Sequence, residues 1–280
     1  MSISPRFGKA VFPLILVLIL VQSACLNQPQ PASQPKSVVI YGDSRTGHYT
    51  HQRVVSAIVQ SDPDVVFHTG DLVEDGLVAE QWDTFNDIVS PLLETAEFYP
   101  ALGNHERNSH LFFDNFVLPN NERWYSVQWD DIHFILLDSN SDISKGSEQY
   151  AWLESELKRI SNTGKFIVVI LHHPPFSTGP HTEDGIKLRD SIVPLFEKYG
   201  VDIVFSGHDH AYERSLHNGV YYIVTGGGGA PLYSQTRTSP YSLVFVKAHH
   251  FCRLYVADNK LTVNVLDINL KTIDKFTVAH

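Results

Sequence analysis

The stretch Gly207-His208-Asp209-His210-Ala211-Tyr212-Glu213-Arg214 follows the apolar run 203–205 almost without a gap. A short β-branched run emptying into two imidazoles and a carboxylate reads as a strand that delivers ligand-type side chains to the loop at its end. Four more polar groups repeat the arrangement: Gly42-Asp43, Gly70-Asp71, Gly103-Asn104-His105 and His172-His173 each follow an apolar run. Ligands of open α/β sheets bind outside the carboxyl ends of the strands, so these five loops can converge on one place. Glycine ahead of the polar residue lets the backbone turn sharply and approach a ligand. Asp43, Asp71, Asn104, His172, His208 and His210 together form a donor set for two adjacent divalent or trivalent metals. A carboxylate can bridge such ions, and imidazole suits zinc, iron and manganese better than calcium.

The segments 38–41, 65–67, 132–137, 166–171, 203–205 and 221–225 read as strands. Between them, 52–60, 78–93, 149–161 and 187–199 carry apolar residues at three- and four-residue spacing, the helical pattern. The order is α/β, with no internal repeat and no later boundary, so 37–280 is expected to be one domain. The tail 241–278 alternates apolar and polar residues around Asp258-Asn259-Lys260, as an antiparallel hairpin would.

The motifs GD, GD, GNHE, HHPPF and GHDHAYER, in this order, resemble those of the calcineurin-like metallophosphoesterases, and the last is most similar to that of purple acid phosphatases and their bacterial relatives. The resemblance covers nearly everything from Ser37 onward. It implies an α/β (α+β) fold, a two-sheet β-sandwich flanked by helices, with two metal ions (Fe, Mn or Zn) at one edge. By position it implies that Asp43 and His210 bind the first metal, that Asp71 bridges both, and that Asn104, His172 and His208 complete the second. His105 would contact the phosphate, and His181 matches a further substrate-contacting histidine.

One departure from the family pattern matters. The superfamily commonly continues the first motif as Asp-x-His, with that His on the first metal, but here the position is Arg45, which stays protonated and cannot ligate. Purple acid phosphatases use a Tyr three residues beyond the bridging Asp, and here that position is Glu74. Glu74, His48 and His51 are the candidates for the missing ligand, with His51 favoured because the first turn of the helix after Asp43 can face the cleft. Arg45 could then take a phosphate oxygen with its planar guanidinium; a surface ion pair is the alternative. His173 and Asp209 are expected to orient the ligands, His68 to be a hydrogen-bonded core residue, and His249 and His250 to pack. Gly226 to Gly229 lack the ending of a phosphate-binding P-loop and read as a tight turn near the metals. Trp152, Leu153, Leu157 and Ile160 read as the buried stripe of a helix.

The 280 residues carry a net charge of −10 and fifteen histidines beside one methionine. The charge argues against binding a nucleic-acid duplex, which needs Lys and Arg to neutralise phosphates. A small phosphate ester is not excluded, because bound metals dominate the local field. The two cysteines, Cys25 and Cys252, exclude a disulfide framework. Arg6 and Lys9 precede the apolar residues 10–21, and Ser23-Ala24 stand directly before Cys25. That order is a signal peptide over 1–24; the apolar run is shorter than the roughly 20 residues of a spanning helix. Its ending resembles a bacterial lipoprotein signal, which would lipidate Cys25 and anchor the exported chain to a membrane; plain secretion is the alternative. Residues 25–36 read as a disordered tether. The expected activity is hydrolysis of phosphate esters by a metal-activated water, with monoesters first. Phosphodiesterase or nucleotidase action at the same site, and a noncatalytic binding protein, are the alternatives.

Overall fold

The computed structural model describes residues 37–280; the expected signal peptide, Cys25 and tether lie outside the described residues. Two sheets face each other. The first runs β13-β12-β11-β1-β2-β3, with β1 Val38–Tyr41, β2 Val65–His68, β3 Glu97–Pro100, β11 His250–Ala257, β12 Lys260–Asp267 and β13 Thr272–Ala279. The second runs β10-β8-β9-β7-β6-β5-β4, with β4 Tyr125–Trp129, β5 Ile132–Leu136, β6 Phe166–Ile170, β7 Ile203–Ser206, β8 Tyr212–His217, β9 Val220–Thr225 and β10 Ser242–Val246. The central strands are parallel: β1 with β2 and β2 with β3 in one sheet, and β5, β6, β7 and β9 in the other. Parallel strands bring their carboxyl ends to one side, and this is what allows loops far apart in sequence to meet.

Period-two alternation splits the second sheet between two cores. Phe134, Leu136, Val168, Ile170, Ile203 and Phe205 join the first sheet in one buried cluster. Ile135, Leu137, Ile167, Val169, Leu171 and Val204 face the other way, against the helices α4 Glu148–Ile160, α5 Ile186–Ser191 and α6 Val193–Tyr199. Phe67 of β2 stacks on Phe134 of β5 with ring centroids 4.2 Å apart, across the space between the sheets. The helices α1 His48–Gln60 and α2 Ala79–Leu93 pack on the first sheet through residues such as Val54, Ile58, Trp82 and Phe85. Leu153, Leu157 and Ile160 are buried as the stripe of α4 requires, with Trp152 packed at its margin.

The outline departs from the expected one in four places. Helix α1 starts at His48, four residues before the expected start at 52. The segment 187–199 is not one helix: it breaks at Ile192, where Pro194 cannot donate into a continuing ladder. The tail is a meander of β11, β12 and β13 rather than a single hairpin, and β10 belongs to the other sheet. The turn between β11 and β12 lies at Asp258 and Asn259, both with positive φ, the demand of a two-residue type I′ connection. Strands β3, β4 and β8 and the short helix α3 His110–Asn115 are absent from the expected outline; β3, β8 and α3 carry little periodic apolar pattern, and β4 alternates, with Tyr125, Val127 and Trp129 on one face, but over five residues only.

Candidate metal centre

Loops after β1, β2, β3, β6 and β7 supply Asp43, Asp71, Asn104 with His105, His172 with His173, and His208 with His210. Asp43, Asp71 and His208 hold φ of 59°, 58° and 68°, a left-handed conformation uncommon outside glycine, which Asp and His adopt more readily than other side chains and which recurs at functional sites. Two glycines pack directly against the carboxylates. A Cβ at Gly103 would lie 2.2 Å from Asp71 Oδ1, and one at Gly207 2.3 Å from Asp43 Oδ2. At these two positions the glycine is required by close approach to a ligand side chain.

Asp43, Asp71 and His210 bring three donor atoms within 4.8 Å of one another, all buried. His210 Nδ1 donates to the Pro231 carbonyl at 2.8 Å, which leaves the lone pair on Nε2. That nitrogen is buried, has no hydrogen-bond partner, and lies 3.5 Å from Asp43 Oδ1. Burial lowers the His210 pKa to about 4, so the ring is neutral and able to ligate. Burial, reinforced by Asp71, raises the Asp43 pKa well above its ordinary value. Two buried carboxylates and an unsatisfied imidazole nitrogen facing one another are a poor arrangement for protein alone and a good one for a cation.

Beside this group lies a second, formed by His172, His173 and His208. His172 Nδ1 donates to the Thr69 carbonyl at 3.0 Å and His208 Nε2 to the Asp184 carboxylate at 2.9 Å. Each ring's remaining nitrogen therefore carries a lone pair, and these two nitrogens stand 3.2 Å apart. His172 Nε2 also meets the Asn104 side-chain oxygen at 2.9 Å and Asp71 Oδ1 at 3.3 Å. Lone pairs converging in this way are reconciled by a cation between them, so the residues present fit a metal in each group. Outer partners that fix the ring tautomer are the usual support of metal-binding histidines, and Asp184 is one that the sequence did not reveal. His173 bonds Ser139 Oγ through Nδ1 at 2.9 Å and packs 4.5 Å from the His208 ring.

Of the candidates for the missing ligand, His51 is not brought to this centre. It is buried, its Nε2 meets Tyr41 Oη at 3.3 Å and its ring stacks on Phe85. The physical reason is helical phase: α1 begins at His48, so His51 shares the inward face with Val54, Val55 and Ile58. Burial lowers its pKa to about 3. Glu74 stands at the rim, ion-paired with Arg45, whose Nε also donates to Asp71 Oδ2 at 3.2 Å. His48 begins α1 and is absent from both donor groups.

The remaining histidines divide by role. His105 donates its backbone N–H to Asp71 Oδ1 at 3.1 Å and its Nδ1 meets the Glu74 carbonyl at 2.6 Å, so its Nε2, 3.9 Å from Asp71 Oδ2, faces the centre. His181 is held by Asp209, through Nδ1 at 2.9 Å, and its ring lies 4.7 Å from that of His208. Asp209 thus orients His181 rather than a donor of either group. His68 bonds Ser44 Oγ and the Gly70 N–H, and His250 bonds Thr225 Oγ1; both are fully buried. Gly228 and Ala230 donate to the carbonyls of Gly42 and Asp43, so the glycine turn braces the first loop.

Glu106 completes the GNHE motif, and its part in the site is one that sequence reasoning missed. It is fully buried and accepts backbone N–H groups from Gly103, Asp71 and Leu72 at 2.6, 2.9 and 2.8 Å, clasping the second and third loops together. Burial, with Asp71 nearby, raises its pKa to about 8.

The calcineurin-like phosphoesterase family model matches residues 36–212, which span all five loops. The chain belongs to this family. Within it, Purple acid phosphatase 18 of Arabidopsis thaliana is 30% identical over 223 residues, 71% of this chain and 51% of that protein. The purple acid phosphatase PPD1 of yellow lupin superposes with a TM-score of 0.79 at 23% identity, over 88% of this chain and 54% of that one. GAP50, described as the anchor in the inner membrane complex of Plasmodium, superposes at 0.74 with 19% identity, over 87% and 88% of the two chains. The last two likenesses concern the fold. This phosphoesterase-family chain spans about half the length of the curated relatives it matches.

Proposed function

We propose that this chain hydrolyses phosphate esters, monoesters first, at a centre of two metal ions drawn from iron, manganese and zinc. The observation that carries the reading is the lone-pair geometry: His172, His208 and His210 each have one ring nitrogen tied to an acceptor and the other facing Asp43, Asp71 or another imidazole. Asp43 and His210 would hold one metal, Asn104, His172 and His208 the other, and Asp71 would serve both. When bound, such ions supply Lewis acidity and an activated water. The side chains do the rest. His105 Nε2 is free to carry a proton toward a leaving oxygen, His181 is aligned by Asp209, and Arg45 can exchange its carboxylate partners for a phosphate oxygen. The metal content of purified protein, measured together with hydrolysis of aryl phosphate monoester and diester under added manganese, zinc or iron, tests this. Metal uptake with no turnover of either ester would refute it; preference for the diester would move the assignment to a phosphodiesterase.

A noncatalytic reading is favoured by one feature, the Arg45 guanidinium lying against Asp71 where a metal ligand is usual. Metal near one ion per chain without hydrolysis would support it. The proposal also includes export of the chain by its first 24 residues and lipidation of Cys25. Radiolabelled fatty acid incorporated by the wild type and lost in Cys25→Ser checks this part; equal labelling of both would rule it out. Among the described residues no helix is long and apolar enough to cross a membrane.

A further inference from the structure

Tyr233 belongs to no motif, yet its ring lies inside the site. It stacks on His210 with centroids 4.2 Å apart and planes 13° from parallel, and stands 5.3 Å from the His181 ring. The segment that carries it is pinned on both sides. Before it, Gly228 and Ala230 donate to Gly42 and Asp43; after it, Thr236 donates its N–H to the Thr178 carbonyl at 2.9 Å and its hydroxyl to the Gly179 carbonyl at 2.8 Å. Tyr233 N itself donates to the His210 carbonyl at 2.8 Å. The ring therefore has a fixed place between the Asp43–Asp71–His210 group and His181.

The Arg45 guanidinium faces the phenol and donates to its oxygen, and a tyrosine hydroxyl that accepts such a bond still has its own proton to donate. No other aromatic hydroxyl described above is placed between these two sets of residues. Stacking on an imidazole face is a task for the ring and leaves the hydroxyl available.

Resting on the esterase reading, we propose that Tyr233 is a substrate-contacting residue whose hydroxyl, paired with the Arg45 guanidinium, donates to a non-bridging oxygen of the phosphate held at the Asp43–Asp71–His210 group. Its ring would also keep His210 in register, and the two tasks separate on substitution.

The test uses the full chain loaded with manganese, as wild type and Tyr233→Phe, which keeps the ring and removes the hydroxyl. Metal content, melting temperature, calorimetric binding of inorganic phosphate and steady-state hydrolysis of an aryl phosphate are compared. The expected result is unchanged metal content and melting temperature, a phosphate Kd weaker by about tenfold or more, the loss typical of a hydrogen bond to a charged group, and a rise in KM larger than the fall in kcat. Equal phosphate affinity in the two proteins overturns the inference. Loss of metal from Tyr233→Phe also overturns it, because the phenol would then be a ligand. A wild type that binds phosphate but hydrolyses nothing refutes the esterase reading alone; one that takes up metal and no phosphate refutes both.

Discussion

Asp71 meets three demands at once. It accepts from the His105 N–H, faces His172, and is approached by Arg45. Asp71→Asn keeps its volume and removes its charge, so metal content and hydrolysis should fall together; an Asp71→Asn variant active with little metal would contradict the assignment. His105→Ala should spare the metal and lower kcat by about 100-fold, the lower end of what a positioned proton donor contributes, as read by metal analysis beside turnover. His51→Ala should leave metal content unchanged and lower stability by about 1–3 kcal/mol, the ordinary range for a buried side chain losing packing; a denaturant titration with metal analysis checks both. The loop residues are legible because Asp43, Asp71, His172, His208 and His210 stand at strand ends, where type and position agree. His51 misleads because the apolar pattern places the helix start at residue 52, four residues late, and so turns an inward face toward the cleft. Tyr233 offers no signal: a lone tyrosine in an irregular segment has neither period nor partner in sequence.

Among the elements, β8 is hidden by its polar residues, yet that polarity has a use. Arg214 Nε and Tyr212 Oη of β8 donate to Asp274 Oδ2 of β13 at 2.7 and 2.6 Å, joining one sheet to the other. Burial alone would raise the Asp274 pKa, but the hydrogen bonds from Arg214 and Tyr212 outweigh it and hold the carboxyl below its ordinary value of 3.8. A depressed native pKa means that the unfolded chain takes up the proton first. The contribution is therefore present above about pH 4 and is lost as pH falls through the native value. Melting temperature measured from pH 6 to 3 should fall more steeply for the wild type than for Asp274→Asn, which has no proton to take up there; parallel curves would show that the clasp contributes nothing. The break at Ile192 is legible in principle, since Pro194 stands inside the expected helix, whereas edge strands such as β3 gain their definition from β2 alone.

Over the whole molecule, the sandwich is legible as an order of elements but its strand order is not, because pairing depends on contacts between residues distant in sequence. The donor loops hang from both sheets, so the centre depends on the sheets keeping their relative position. Phe67→Ala, which removes one side of the 4.2 Å stack between them, should cost about 3–5 kcal/mol in stability, read from the denaturant midpoint. A variant of unchanged midpoint would mean that the space is refilled by neighbours.

The pairing of β1 with β11 bears on how such a chain comes into being. β1 is the first strand of the described fold to leave a ribosome, and it carries the first donor loop, but its antiparallel neighbour is among the last to be made. During synthesis one edge of β1 must wait for its partner while the roughly 200 residues between Tyr41 and His250 emerge behind it. A chain halted after Arg214 would hold every donor side chain of both groups and still lack the strand that closes the sheet behind Asp43. Such a nascent fragment would carry the whole inventory of the centre with no settled geometry to use it.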